Sequence, residues 1–173
     1  KESWKAYDVW KRATASSSHT PLDEELLYAL VALCLSTGRP RHALSLAIGF
    51  YALLRPGELT ELQVKHLKVV SGANRTVGAR CLVVTVMKPK TRYRAAKIQS
   101  IVCRQEIVIQ LAEKLLVTYA SLDEFVLPCS AVSWPRTFVA LLRALGAHDL
   151  NYTPGSLRAG GAVTALLVEQ APL

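Results

Sequence analysis

The sequence predicts an α+β domain that is mainly α-helical and contains a small antiparallel β-sheet of two to three strands. Two patterns support this prediction. Several stretches place leucines three and four residues apart, as helices packed on one side do. The stretch Cys81 to Met87 is instead rich in β-branched residues and lies between Gly78 and Pro89, which is typical of a strand. The 173 residues are enough to bury the core of one domain.

The first part of the chain predicts three helices. Thr20-Pro21 is a good helix start, with Thr as the N-cap, and this helix ends near Gly38. A second helix, Arg41 to Leu54, is apolar on nearly all sides, so we expect it at the centre of the core. A third helix follows from Pro56 to about Lys68 because leucines recur there at helical spacing.

The sheet and three more helices follow. Cys81 to Met87 and Ala96 to Cys103 predict two strands joined by a basic turn. Helical spacing then resumes after Arg104 and again from Ser133 to Gly146. Thr153-Pro154 starts the last helix, in which Gly160 and Gly161 would allow close backbone packing on another element.

The composition favours an anionic partner. The formal net charge is +8 and the pI is about 9.5, so nucleic acid leads the candidates. No apolar run is long enough to span a membrane, and Lys1 to Arg12 does not resemble a signal peptide. The scattered cysteines form no CxxC pair, so we expect no zinc site. We also expect no cofactor.

The predicted hairpin turn concentrates positive charge. Its lysines and arginines suit contacts to DNA phosphates, which position a duplex without reading its bases. A solvated strand edge that resists aggregation would show the same composition. The residues in question are Lys88, Lys90, Arg92, Arg94 and Lys97.

Arg55 lies at the junction of two apolar helical runs. Pro56 suits the first turn of the second run, and Glu58 follows Arg55 by three residues, close enough to pair with it. The pair has two interpretations: a structural ion pair at a helix corner, or an anion-binding arginine held by its own carboxylate.

Two motifs resemble those of the tyrosine recombinases, also called phage integrases. The sequence Leu-Arg-x-x-Glu-Leu-x-x-Leu, from Leu54 to Leu62, is similar to the family's first arginine box. The sequence Ser-Leu-Arg-Ala-Gly-Gly-Ala around Arg158 is similar to the second box in integrase-like sequences of eukaryotic mobile elements. The resemblance covers roughly residues 20–173, with the basic hairpin in the expected order between the boxes.

The resemblance implies a role for each motif. Arg55 and Arg158 would grip the scissile DNA phosphate, and Glu58 would orient Arg55. Lys90, or alternatively Lys88, would protonate the leaving 5′ oxygen, while Arg92, Arg94 and Lys97 would contact flanking phosphates. The reaction would be metal-free cleavage and joining through a 3′-phosphotyrosyl link. We therefore predict that the two guanidinium groups converge to within roughly 15 Å, since long arginine side chains would share one phosphate.

The chain also departs from the family pattern. The histidine of the family's His-x-x-Arg falls on Gly155, so its role is either empty or filled by another group. All six tyrosines precede Arg158, so no residue of this chain is assigned as the nucleophile. We expect residues 20–173 to be an integrase-like catalytic domain that stops before the nucleophile segment. Residues 1–19 would be a linker and the end of an upstream DNA-arm domain, or simply a loose terminus.

Three hypotheses follow from the sequence. The chain is the catalytic-domain fragment of a site-specific DNA recombinase, an eroded DNA-binding domain of a mobile element that no longer catalyses, or a helical interaction protein with an accidental match. The first two imply duplex DNA as the partner, with a possible homo-oligomer on DNA and no membrane. They also imply an intracellular location, nuclear if the host is eukaryotic. We predict that this fragment is inactive in strand cleavage.

Overall fold

The computed structural model describes residues 19–70, 80–87 and 98–170, with backbone alone for 168–170. Within these residues the chain forms six helices and one three-stranded sheet. The helices are α1 (Glu24–Ser36), α2 (Pro40–Tyr51), α3 (Pro56–Thr60), α4 (Glu106–Leu116), α5 (Trp134–Ala144) and α6 (Pro154–Gln170). The strands are β1 (Leu67–Val70), β2 (Cys81–Val86) and β3 (Gln99–Cys103). The predicted class, mainly α-helical α+β with a small antiparallel sheet, is confirmed.

The sheet is an antiparallel meander in which β2 is central. Its register pairs Leu67 with Val84 and Leu82 with Cys103. Alternate side chains of β2 are buried, as expected for a strand with one face on the core. This face packs against α4. Strand β1 begins at Leu67, so its first two residues lie in the segment that the leucine spacing assigned to a helix.

Helix α2 is the central helix, as predicted. Every residue from Ala43 to Phe50 is buried, and the helix packs against α1, α4 and α6. A helix enclosed in this way needs an apolar surface on all sides, which the uncharged run from Ala43 to Phe50 provides. The rest of the core assembles around it.

Two helix boundaries differ from the prediction because main-chain groups bond elsewhere. Helix α1 begins at Glu24, after Asp23, and not at Thr20-Pro21. The residues before it run along α6, where the Leu22 N–H donates to the Ser156 carbonyl at 3.0 Å. Helix α3 ends at Thr60, far short of Lys68.

The early end of α3 has a local cause. The Leu62 carbonyl accepts from Val126 N–H, and Val64 N–H donates to the Glu124 carbonyl, both at 2.9 Å. Pairing with the loop before α5 therefore replaces the helical bonds that the leucine spacing had suggested. After a short 3₁₀ turn, the chain enters β1.

The end of α2 holds a leucine in an unusual conformation. Leu54 N–H bonds to the Gly49 carbonyl and Leu53 N–H to the Phe50 carbonyl, which is the Schellman pattern. The left-handed residue of this motif is Leu53, with φ of 53°, whereas the corresponding residues after α1 and α5 are glycines. A non-glycine residue in this conformation costs about 1–2 kcal/mol. The turn directs the chain into Arg55.

Helix α6 packs backbone to backbone through its glycines. A Cβ atom at Gly160 would lie 2.0 Å from the Leu22 carbonyl oxygen, and one at Gly161 would lie 2.0 Å from the Phe50 carbonyl oxygen. Neither carbonyl can move without disturbing its own segment. The close packing predicted for the two glycines is therefore confirmed, and it fixes α6 against α2.

Candidate phosphate-binding site

Arg55 is the residue from which α3 begins. Its backbone is extended (φ −70°, ψ 151°), and Pro56 occupies the first turn of the helix. The Glu58 carboxylate reaches back over this turn. Its Oε2 accepts the Arg55 backbone N–H at 2.9 Å, and its Oε1 accepts from Arg55 Nη1, also at 2.9 Å. The predicted Arg55–Glu58 pair is therefore present, and Glu58 also caps the helix.

Arg158 meets the same carboxylate from a different helix. It lies in α6, one turn after the helix begins, and its Nη1 is 4.0 Å from Glu58 Oε2. Both guanidinium groups therefore lie beside one carboxylate, well inside the roughly 15 Å that sharing one phosphate allows. The predicted convergence of Arg55 and Arg158 is confirmed.

The Glu58 side chain is less exposed to solvent than those of Arg55 and Arg158. The Glu58 side chain is only 10% exposed, while those of Arg55 and Arg158 are 35% and 41% exposed. The carboxylate thus lies beneath the two guanidinium groups, which keep part of their surface open to solvent. Each guanidinium has five N–H donors in a planar fork, so donors remain for an anion. The arrangement can bind two oxygens of a phosphate group from each side.

A cavity of about 780 Å³ opens beside Arg55. Lys65 and His66 add basic side chains to its lining. Burial, and secondarily the charge of Lys65, lowers the pKa of His66 below the ordinary histidine value. The last two residues of β2, Thr85 and Val86, and the following Met87 form another part of the wall. Arg55 and Glu58 therefore line the same cavity as the end of the strand that precedes the basic segment.

The basic segment itself lies outside the described residues. This applies to the predicted general acid Lys90 and to the predicted DNA contacts Lys88, Arg92, Arg94 and Lys97. Met87, the residue before the segment, lines the cavity. The catalytic assignment of Lys90 stays a prediction, as do those of Arg55 and Arg158.

The hydroxyl groups of the four described tyrosines form hydrogen bonds with residues other than Arg55 and Arg158. Tyr28 and Tyr51 bond with Glu24, and the Tyr119 hydroxyl donates to the Val126 carbonyl at 3.1 Å. The Tyr152 hydroxyl donates to Asp23 Oδ2 at 3.2 Å. Burial, and secondarily Asp23, raises the pKa of Tyr152, which disfavours the phenolate needed for attack.

The described residues place no tyrosine and no metal-binding group beside Arg55. None of the four tyrosines lines the cavity beside Arg55. Tyr7 and Tyr93 lie outside the described residues. Among residues 19–70, 80–87 and 98–170, no group of three or more His, Cys, Asp or Glu side chains is placed to hold a metal ion. Nor does any helix in these ranges combine the length and apolar character needed to cross a bilayer.

The sequence did not predict the Arg41–Glu124 ion pair, which stabilises the loop at one wall of the cavity. Arg41 of α2 donates to the Glu124 carboxylate and lies over the Tyr119 ring, 4.1 Å from its centroid. Glu124 also accepts the backbone N–H groups of Ala120 and Ser121, so it fixes the loop that presents Phe125 to the cavity. Hydrogen bonding to Arg41, foremost, lowers the pKa of Glu124. Partners so far apart in the chain leave no local sequence signal.

The structure is similar to those of several DNA recombinases. It matches the XerA recombinase with a TM-score of 0.62 at 17% identity, over 91% of this chain and 53% of that one. It matches the XerH site-specific recombinase bound to difH substrate with a TM-score of 0.61 at 16% identity, over 91% of this chain and 45% of that one. For the Tn1549 transposon integrase in complex with transposon right end DNA, the TM-score is 0.62 at 17% identity, over 91% of this chain and 56% of that one.

These likenesses show the fold. The chain spans about half of the length of the structures that it matches. No protein-family model matches the sequence, and no curated protein does. The structural matches nevertheless cover 91% of the present chain. The chain therefore has the fold of a tyrosine recombinase catalytic domain.

Proposed function

We propose that this chain is the DNA-binding part of a recombinase catalytic domain that cleaves and joins DNA without a metal. The convergence of Arg55 and Arg158 on Glu58 is the observation that carries the proposal. Two arginines from separate helices, held by one largely buried carboxylate and open to solvent, suit a single phosphodiester. The matched XerH and Tn1549 proteins are bound to DNA in their structures. Duplex DNA is accordingly the partner proposed here.

The arginines would act on charge that develops during phosphoryl transfer. A tyrosine oxygen attacks phosphorus, the bond to the 5′ oxygen breaks, and negative charge builds on the non-bridging oxygens. Arginine remains protonated throughout and can donate two hydrogen bonds at once. Glu58 would hold both guanidinium groups in place before the phosphate arrives, which reduces the reorganisation that the reaction requires.

The proton for the leaving 5′ oxygen would come from Lys90, or alternatively from Lys88. A general acid must reach the atom that it protonates. The basic segment begins directly after Met87, which lines the cavity beside Arg55. Arg92, Arg94 and Lys97 would contact neighbouring phosphates. Residues 20–173 would form the integrase-like domain, with residues 1–19 as the linker from an upstream DNA-arm domain.

The nucleophile would not come from the described tyrosines. Each of their hydroxyl groups has a hydrogen-bond partner other than Arg55 and Arg158, and Tyr152 is buried and bonded to Asp23. We therefore propose that the 173 residues bind DNA but form no covalent link with it. The attacking tyrosine would belong to a further segment of the protein.

A second function, DNA binding without catalysis, is favoured by Gly155. Position 155 has no side chain to donate or accept a proton, although the resemblance implies a histidine there. An eroded recombinase could lose this group and still keep its arginines and basic segment. The two functions share a DNA-binding surface and differ in the covalent step.

The experiment that tests the proposal combines a binding assay with a denaturing gel. The 173-residue chain is mixed with a nicked suicide duplex, and its binding is measured by fluorescence anisotropy over a range of salt concentrations. We expect binding with strong salt dependence and little sequence preference, because phosphate contacts dominate. We expect no covalent adduct on the gel.

The same assays on the chain extended to its natural C-terminus separate the two functions. An adduct from the extended protein supports the recombinase, whereas binding without an adduct supports the non-catalytic domain. Failure of the 173-residue chain to bind at low salt contradicts both. An adduct from that chain alone would show that a tyrosine described above, or Tyr7 or Tyr93, is the nucleophile.

A further inference from the structure

The space that a side chain at position 155 would occupy is filled by another residue. A Cβ atom built on Gly155 would lie 2.4 Å from Cδ2, 2.5 Å from Nε2 and 2.8 Å from Cγ of His19. These are its three nearest neighbours, and all belong to one imidazole ring. Gly155 lies in the helical segment of α6, and its φ is outside the left-handed range, so the backbone itself would accept a side chain. The imidazole ring of His19 is what leaves no room for a side chain at position 155.

Three neighbouring contacts fix His19 in this place. His19 Nδ1 and the Thr153 hydroxyl oxygen are 2.9 Å apart, at hydrogen-bond distance. The Leu22 N–H donates to the Ser156 carbonyl, and Asp23 accepts from the Tyr152 hydroxyl. The segment before α1 is therefore bonded to the start of α6 at several points. A histidine on this segment is positioned by main-chain pairing as well as by its own side chain.

The location of the ring relates it to the arginines. Gly155 and Arg158 are three residues apart in α6, so their positions lie on the same face of the helix. Arg158 in turn approaches Glu58, which holds Arg55. His19 is exposed to solvent, and its Nδ1 faces Thr153, which leaves Nε2 available to a ligand. An imidazole N–H is a suitable donor to a phosphate oxygen.

We propose that His19 supplies, from the segment before α1, an imidazole that binds the same DNA phosphate as Arg55 and Arg158. The Nε2–H of His19 donates to an oxygen of that phosphate, while Thr153 orients the ring through Nδ1. The side chain is thus provided by a residue distant in sequence, and Gly155 is the position that makes room for it. This inference rests on the proposed function, since it assumes that the arginines bind a DNA phosphate.

The test compares variants of the 173-residue chain in binding to a duplex oligonucleotide at low salt. His19→Ala removes the ring, whereas His19→Phe keeps a ring over Gly155 but has no donor. The double variant His19→Ala/Gly155→His moves the imidazole to the helix. We expect both single variants to raise Kd about tenfold, as loss of a hydrogen bond to a charged group does. The double variant should restore Kd to within about threefold of the original value.

Each result supports or contradicts the inference. A His19→Phe variant that binds as tightly as the original chain would show that the ring only fills space. An unchanged Kd for His19→Ala would contradict a phosphate contact even if the double variant failed to fold. In both cases the original chain still binds DNA, so the proposed function survives. If the original chain itself does not bind, the proposed function fails and this inference fails with it. Circular dichroism of each variant confirms that it is folded.

Discussion

Glu58 contacts Arg55 and Arg158 through the two oxygens of one largely buried carboxylate. Its Oε1 bonds to the Arg55 guanidinium, and its Oε2 accepts the Arg55 backbone N–H and lies 4.0 Å from Arg158 Nη1. The carboxylate therefore links the start of α3 to the first turns of α6. An ion pair that served only to stabilise a helix corner would not need the second arginine.

The first prediction concerns the basic segment. Replacing Lys90, Arg92 and Arg94 together by Ala should weaken duplex binding and flatten the salt dependence by about one unit per lost phosphate contact. Binding titrations at several salt concentrations measure both quantities. These residues follow Met87, which lines the cavity beside Arg55. We therefore expect their loss to weaken binding more than the loss of equal charge elsewhere.

A matched control removes the same amount of charge elsewhere. The triple variant of Arg39, Arg80 and Lys114 to Ala lowers the net charge equally at exposed positions of the described structure. It should affect the salt slope much less than the first variant does. Equal slopes for the two variants would mean that net charge, and not the basic segment, drives binding.

The second prediction concerns the glycines of α6. Gly160→Ala and Gly161→Ala should each destabilise the protein by about 1–3 kcal/mol or more, because the added Cβ would meet a main-chain carbonyl. Urea denaturation measures the change. Gly57→Ala is the control, since nothing lies within 4 Å of its Cβ position. That variant should be neutral or slightly stabilised; stability retained at both Gly160→Ala and Gly161→Ala would contradict the close packing.

The third prediction is a loss of stability on mild acidification. Burial, followed by nearby Arg39, lowers the pKa of His42 below the ordinary value of 6.5, and burial followed by Lys65 does the same for His66. The unfolded chain therefore binds protons more readily than the native chain just below pH 6.5, so unfolding becomes easier as the pH falls through this range. Above it, this contribution to stability is complete.

Urea denaturation at about pH 7.5 and about pH 5.5 measures the effect. Asp123 and Glu124 do not interfere, because their pKa values lie below the ordinary 3.8 and 4.5. Replacing His42 and His66 by Gln should reduce the difference between the two pH values. A difference that is the same in the double variant would assign the acid sensitivity to other groups.

The sequence was most informative where one segment decides its own structure. The uncharged run through Ala47 predicted the central helix, the β-branched run predicted β2, and Pro56 with Glu58 predicted the bend at Arg55. The leucine spacing wrongly predicted a helix after Thr60, because the main chain of Leu62 and Val64 bonds instead to the loop around Glu124. Main-chain pairing between distant segments overrode the local preference.

In the candidate site too, local motifs were predictable from the sequence, whereas contacts between distant segments were not. The arginine boxes were recognisable as short motifs, and the convergence of Arg55 and Arg158 followed from the fold that the motifs resemble. His19 was not predicted, because its place over Gly155 depends on contacts between two segments far apart in sequence. The Arg41–Glu124 pair was missed for the same reason.

A double-mutant cycle on DNA binding tests most directly whether Arg55 and Arg158 act on one phosphate. The dissociation constants of Arg55→Ala, Arg158→Ala and the double variant are compared with that of the original chain. Arg55→Ala/Arg80→Ala is the control pair, because Arg80 bonds to Glu106 and Glu113 of α4. We predict that the first double variant loses less binding free energy than the sum of its single variants, with a coupling of about 0.5–3 kcal/mol, whereas the control pair is additive. Additive losses for Arg55 and Arg158, within about 0.5 kcal/mol, would contradict a shared phosphate.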